Sequence, residues 1–213
     1  MTQSCRTWIV TGYVRLDSPH RSHDHYLELG QRLVGIGLPT IAYHQPLHAC
    51  WLARHHESHG VTVAPDGKDS LAYHCVQHEK TAWLTRAVQS GSPTTLIWLD
   101  YGILHVPGVT EQLVREFFEH VDRYPPNRVT VPSIWPADAP IDDSQPCWIC
   151  AGGVFVMPSW AAVWWHRECV RTATHDRPTW EVNTWAKVAR RYPEQVRLYR
   201  ADHDQTILTG IAA

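Results

Sequence analysis

The stretch Thr94 to Pro107, TTLIWLDYGILHVP, carries the clearest chemical signal in the chain. Thr94 to Leu99 is β-branched and apolar with no breaker, which predicts a buried strand. That strand stops at a single acid, Asp100, followed by Tyr101 and by Gly102, where a turn is expected. In an open α/β sheet, ligands gather just beyond the carboxyl ends of the strands. A carboxylate at that point can hold a divalent cation on a phosphate-bearing substrate. The same acid would also serve as a plain cap for the turn.

Two cysteine and histidine sets compete for attention. His55-His56-Glu57 fits H-x-E and Pro146-Cys147-Trp148-Ile149-Cys150 fits P-C-x-x-C, together the signature of a zinc-dependent nucleobase deaminase. Such a site needs one His and two Cys on zinc, with the Glu moving protons at the bound water. The CWIC segment, however, runs into apolar AGGVFVM and reads as one strand, Cys147 to Met157, interrupted at Gly152-Gly153. Residues three apart on a strand face opposite sides, so the two thiols are expected to diverge and not to share zinc. His74 and His78, four apart on a predicted helix, share a face. With Cys147 and Cys150 they would complete a structural Cys₂His₂ set, or stand as buried, hydrogen-bonded histidines.

The elements that must position these residues alternate between strand and helix. Residues 7–14 read as a first strand. A helix from about His23 to Val34 follows, with Ser22 as N-cap and Gly35 and Gly37 at its end. Leu38 to Tyr43 is a second strand, Val61 to Ala64 a short one, and Asp69 to Gln89 a long helix leading to the Asp100 strand. Thr110 caps a helix with Leu113, Val114, Phe117, Phe118 and Val121 at helical spacing. Arg128 to Val131 is a strand. The loop Pro132–Pro146 is rich in proline and acid, and is expected to border the site and to order on donor binding. Helices at about 159–173 and 179–191, then a strand at Val196 to Tyr199, complete the pattern. Such alternation predicts a mostly parallel central sheet with helices on both faces, within a single domain spanning 1–213.

Composition narrows the function classes. Hydrophobic residues make up 44% of the 213, enough for a core, and 11 are Trp. No run of 18 apolar residues exists, so no transmembrane helix is expected. The start, MTQSCRTWIV, lacks a signal-peptide layout, which points to a cytoplasmic protein with reduced thiols. A net charge of −2 argues against a general nucleic-acid coat. Eight basic residues between Arg167 and Arg200 nevertheless make the last third locally basic, as a phosphate-facing or merely solvated surface would be.

TGYVRL near the start, EKTAWLTRAV feeding IWLDYGILHV, AGGVFVMPSWAAVWW, and EVNTWAKVARRYPEQVRLYRADHDQTILT occur in that order. Taken together they resemble the HtrL/YibB (WlaTC/HtrL-like) bacterial glycosyltransferase family and, more distantly, the GT-A glycosyltransferases, over residues 7 to 210. The resemblance implies a GT-A-like fold and transfer of a sugar from a nucleotide-diphosphate sugar, a UDP-sugar first, to a hydroxyl acceptor. That acceptor would be a glycan, or a hydroxylated base in DNA. It implies donor contacts from Thr11, Gly12, Arg15, Lys80, Asp100, Tyr101, Gly102, Gly152 and Gly153. It also implies a divalent cation, Mn or Mg, on Asp100 and His203. Asp100 matches the first Asp of the family's Asp-x-Asp motif, and Gly102 stands where the second would be. Arg15 and Lys80 would neutralise the diphosphate, and Gly152-Gly153 would let the backbone approach the sugar. Glu181 matches the acidic position that meets the acceptor or acts as base. The missing second Asp also suits a non-catalytic sugar-nucleotide-binding protein. Trp148 and Trp180 are among several tryptophans that could serve as platforms for base or sugar.

Overall fold

A computed structural model describes residues 6–16, 22–44, 70–173 and 179–212. The expected strand at Val61 to Ala64, and His55 and Glu57 of the deaminase signature, lie outside the described residues. The elements are β1 (Thr7–Tyr13), α1 (His23–Gly35), β2 (Thr40–His44), α2 (Leu71–Ser90), β3 (Thr95–Leu99), α3 (Glu111–Arg123), β4 (Val129–Ser133), β5 (Val154–Pro158), α4 (Ser159–Ala173), α5 (Glu181–Arg191), β6 (Val196–Arg200) and α6 (Thr206–Thr209). Three of the helices start on hydroxyl caps. Ser22 accepts from the His25 N–H at 3.2 Å, Ser70 from Tyr73 at 3.2 Å and Thr110 from Leu113 at 3.1 Å.

The strands form one six-stranded sheet in the order β2-β1-β3-β5-β4-β6. β1 pairs parallel with β2 and β3, and β4 with β6, while β5 runs antiparallel to both of its neighbours. Mixed α/β architecture with a mostly parallel sheet is thus the fold. Strand β5 begins seven residues later than its sequence suggests, because residues 147–153 form turns. Pro132 helps explain this. It has no N–H to donate, β4 meets β5 only at Thr130 and Val156, and the Pro132 carbonyl instead accepts from the Ala151 N–H at 2.8 Å. Helix α6 and the short 3₁₀ turn at Ile103–His105 had no signal in the sequence.

Side chains alternate across each strand, so the sheet has two cores. Leu96 and Trp98 of β3, with Phe155 and Met157 of β5, meet Trp83 of α2, Trp165 of α4 and Trp185 of α5. On the other face Ile97, Leu99, Val154 and Val156 meet Leu33 of α1, Val114, Phe117, Phe118 and Val121 of α3, and Ile207 and Leu208 of α6. Burying each such side chain is worth about 2 kcal/mol. No helix among the described residues is long and apolar enough to cross a membrane.

Candidate functional site

Asp100 follows the last residue of β3, and its backbone N–H is held by the Gly153 carbonyl at 2.9 Å, which fixes the strand end against the turn before β5. Trp98, two residues earlier and on the same side of the strand, donates its indole N–H to Asp100 Oδ1 at 2.7 Å. Lys80 reaches the same oxygen from α2, Nζ to Oδ1 3.0 Å. Its ammonium also donates to Glu181 Oε1 at 3.1 Å and to the Gly152 carbonyl at 2.9 Å. Three protons meet three acceptors, which is what a buried ammonium requires. The Trp98 and Trp185 rings lie 6.0 and 5.8 Å from Nζ, centroid to nitrogen, adding cation–π attraction.

The sequence places Lys80 where a charge would not be expected. Residues 78–84 of α2 are all buried, so this helix has no solvent face at that level. Burial pulls the Lys80 pKa down, but Asp100 and Glu181 outweigh it and hold the pKa above the usual lysine value. The ammonium is therefore charged throughout the neutral range. Glu181 is the first residue of α5, where an acid is stabilised by the helix dipole. Only 5% of its side chain is exposed, and Oε2 is buried with no hydrogen-bond partner among the described residues. The Asp100 side chain is 33% exposed, and no described residue donates to its Oδ2. One ammonium between two carboxylates leaves the cluster formally with one negative charge in excess.

These residues line a cavity of about 250 Å³. Lys80, Asp100, Gly152, Gly153, Glu181 and His203 all reach it, as do His105, Gln77 and the rings of Tyr73, Trp148 and Trp180, together with Ile103 and Ile207. Asp100, Glu181 and His203 are thus gathered on one cavity from distant parts of the chain. A second cavity, of about 500 Å³, lies between Ala137, Ile149, Arg190 and Leu198. The loop Pro132–Pro146 supplies none of the cavity lining, and the part of the β4–β5 connection that does so begins at Trp148. Asn183 of α5 pins the loop, accepting from the Cys147 N–H at 2.7 Å and donating to the carbonyls of Asp142 and Gln145, both at 3.0 Å.

Glycines account for much of the close packing. A Cβ on Gly152 would overlap Glu181 Oε1 and come within 3.4 Å of Lys80 Nζ, so the ion cluster needs glycine there. The turn expected after Asp100 is present at Tyr101-Gly102, and Gly102 takes an ordinary negative φ of −97° there. It gives room to the Tyr26 ring, 3.0 Å from where a Cβ would sit. Gly102 and Tyr101 are not on the cavity lining, and neither are Thr11, Gly12 and Arg15. Thr11 is fully buried in β1, and Gly12 makes room for the Trp83 ring. Arg15 is exposed, near Tyr13. Tyr101 stacks on Tyr13, ring centroids 5.3 Å apart, in an aromatic group with Tyr26, His23 and His44 at the ends of β1 and β2. Tyr13 donates or accepts at His23 Nδ1 over 2.7 Å, and burial raises its pKa, with Tyr26 and Tyr101 adding to the shift. Nothing in the spacing of residues along the sequence announced this group.

The fit to a divalent cation rests on Asp100 Oδ2 and His203. His203 is exposed, edge-on to the Trp148 ring with centroids 4.4 Å apart. Its neighbours Asp202 and Asp204 turn away, bonding the backbone and Thr206 at the start of α6. Among the described residues no three His, Cys, Asp or Glu side chains stand close enough to hold a metal by themselves. A hard cation there would need the oxygens of a bound diphosphate and water to complete its shell, which is the usual way Mg²⁺ is held. The excess negative charge of the cluster suits it. Cys147 and Cys150 lie in a turn and not on a strand, both buried, so the alternation argument for their divergence does not hold. Burial, with Cys147 and Glu181 nearby, pushes the Cys150 thiol far above its ordinary range. His78 sits on buried α2 with Nε2 3.0 Å from the Thr179 carbonyl.

No family model matches the chain, and no curated protein matches it. Among solved structures it is similar to a glycosyltransferase involved in the glycosylation of the major capsid of PBCV-1, at 14% identity and a TM-score of 0.51, with 91% of this chain and 81% of that one covered. Mouse xyloside xylosyltransferase 1 matches at 11% identity, TM-score 0.46, over 90% of this chain and 84% of that one. CMP:2-keto-3-deoxy-manno-octonic acid synthetase complexed with CTP matches at 8% identity, TM-score 0.45, over 92% and 90%. The fold is of the Rossmann-like GT-A kind.

Proposed function

We infer that the protein is a glycosyltransferase that moves a sugar from a nucleotide-diphosphate sugar, a UDP-sugar first, to a hydroxyl acceptor. The observation that carries the reading is the Asp100–Lys80–Glu181 cluster, set in a cavity at the carboxyl end of β3 on a GT-A-like sheet. Ligands gather at that edge in open α/β folds. The sequence resemblance to HtrL/YibB proteins and the structural likeness to the capsid glycosyltransferase point the same way.

In this reading the nucleoside lies toward Arg15 and the aromatic group around Tyr13 and Tyr101. The sugar enters the cavity beside Gly152 and Gly153, where the absence of a Gly152 side chain gives Glu181 and Lys80 their place on the lining. Glu181, on the cavity lining, accepts a hydroxyl hydrogen, either holding the sugar or drawing the proton from the acceptor. Lys80 keeps both carboxylates in place. Asp100 and His203 would hold a divalent cation, Mn or Mg, which supplies positive charge to the leaving diphosphate. Trp148 and Trp180 offer flat apolar faces to a glycan acceptor at the rim. A hydroxylated DNA base would have to be flipped out to reach the same point.

A thermal-shift panel of nucleotide sugars, each with and without Mn²⁺, tests this. A true donor at one hundred times its Kd stabilises the fold by about 2.7 kcal/mol. No response to any nucleoside diphosphate or nucleotide sugar would end the reading, and binding without transfer or donor hydrolysis would favour a non-catalytic binder.

A further inference from the structure

We propose that this cavity selects a neutral, hydroxyl-rich donor sugar and rejects one that carries a carboxylate, and that Glu181, seconded by Asp100, makes the selection. The inference rests on the nucleotide-sugar reading and goes on to the class of sugar.

Two carboxylates and one ammonium face the cavity floor, and all three ammonium protons are already bound to Asp100, Glu181 and the Gly152 carbonyl. No proton of Lys80 is left for a sugar carboxylate. Glu181 Oε2 is buried without a partner among the described residues, so its charge is poorly screened. Asp100 Oδ2, to which no described residue donates on a side chain 33% exposed, can accept from a sugar hydroxyl. A sugar carboxylate can only accept, and it would place a third anion beside two held in a half-enclosed site where Coulomb repulsion is poorly screened. Among the described residues the walls give little relief, since the other ionisable groups on the lining are the imidazoles of His105 and His203 and the Tyr73 phenol. Gly152 brings this arrangement within reach of the sugar, because any side chain there would overlap Glu181 Oε1.

The test compares matched donors by calorimetry at pH 8, above the ordinary imidazole range, in Mn²⁺ and again in EDTA. UDP-glucose is set against UDP-glucuronate, and GDP-mannose against GDP-mannuronate, with UDP and GDP alone as references. The neutral donor is expected to bind at least tenfold more tightly than its uronate partner. In Glu181→Gln, which removes one charge, the gap should narrow to under threefold. Asp100→Asn provides the same comparison should Glu181→Gln not fold. Equal or tighter binding of the uronate overturns the proposal. So does a tenfold gap that persists in both variants, because selection would then come from elsewhere. Failure of UDP, GDP and all four sugars to bind ends the nucleotide-sugar reading itself, a result distinct from binding without discrimination.

Discussion

The two faces of the sheet are built on different principles. The face covered by α1, α3 and α6 is aliphatic and phenylalanine-rich, and those helices bury no charged side chain. The face covered by α2, α4 and α5 holds Trp83, Trp98, Trp165 and Trp185, and every buried Lys or Glu of the described residues, namely Glu79, Lys80, Glu168 and Glu181, lies on those three helices. Burying a charge is expensive unless it is paired, so a fold does not place several on one side for stability alone. The first face is mostly scaffold and adds Ile103 and Ile207 to the cavity lining. The second carries the ion cluster, and its aromatic rings pack around it, with those of Trp98 and Trp185 at 6.0 and 5.8 Å from Lys80 Nζ.

That contrast can be broken most severely at Lys80. Lys80→Met leaves Glu181 and Asp100 without their ammonium, and removing one partner of a buried pair costs about 4 kcal/mol. Urea unfolding should show that loss, and donor turnover should vanish with it. A well-folded, active Lys80→Met protein would mean the cluster is not central. The pH dependence is distinct. Lys80 has its pKa raised on folding, so its contribution is full below the unfolded value of about 10.4 and fades only as pH climbs through the still higher folded value. In the wild type, Lys80 itself should therefore add no pH dependence to the unfolding free energy between pH 6 and 9.

On the scaffold face, Phe117→Ala should cost about 3 kcal/mol by the same urea measurement, through the cavity it leaves, and leave nucleotide affinity unchanged. A large change in affinity would show that the faces are coupled. Asn183→Ala frees the carbonyls of Asp142 and Gln145 and the N–H of Cys147. It should cost about 2 kcal/mol and make the 142–147 loop protease-sensitive. The smallest effect belongs to Thr110→Ala, which removes the α3 cap at about 1 kcal/mol with no change in binding.

Much of the order of elements was legible in the sequence. Ser22 and Thr110 mark helix starts because a hydroxyl cap is a local device, whereas the Ser70 cap fell inside the helix read from Asp69. The α3 stripe is legible because one of its faces meets water. The region from Cys147 to Gly153 misled for a related reason. It is apolar enough for a strand, yet its pairing is cut short at Pro132, and the turn that replaces the strand is held by contacts with β4 and Asn183 that sequence spacing does not register. Within the site, Asp100 was legible from an apolar strand ending on an acid. The aromatic group at Tyr13 was not, because its members come from four separate elements.

The sequence by itself determined the alternating α/β pattern, the strand that presents Asp100, and Glu181 at the opening of a helix, because each depends on periodicity, capping and propensity over a few neighbouring residues. Tertiary structure decided which charges meet. Lys80 sits 20 residues from Asp100 and 101 from Glu181, and only the packing of buried α2 against β3 and α5, with no side chain at Gly152, brings one ammonium within 3.1 Å of both carboxylates. Ion pairing acts through space over a few ångströms, so its partners are set by the fold and not by their spacing along the chain.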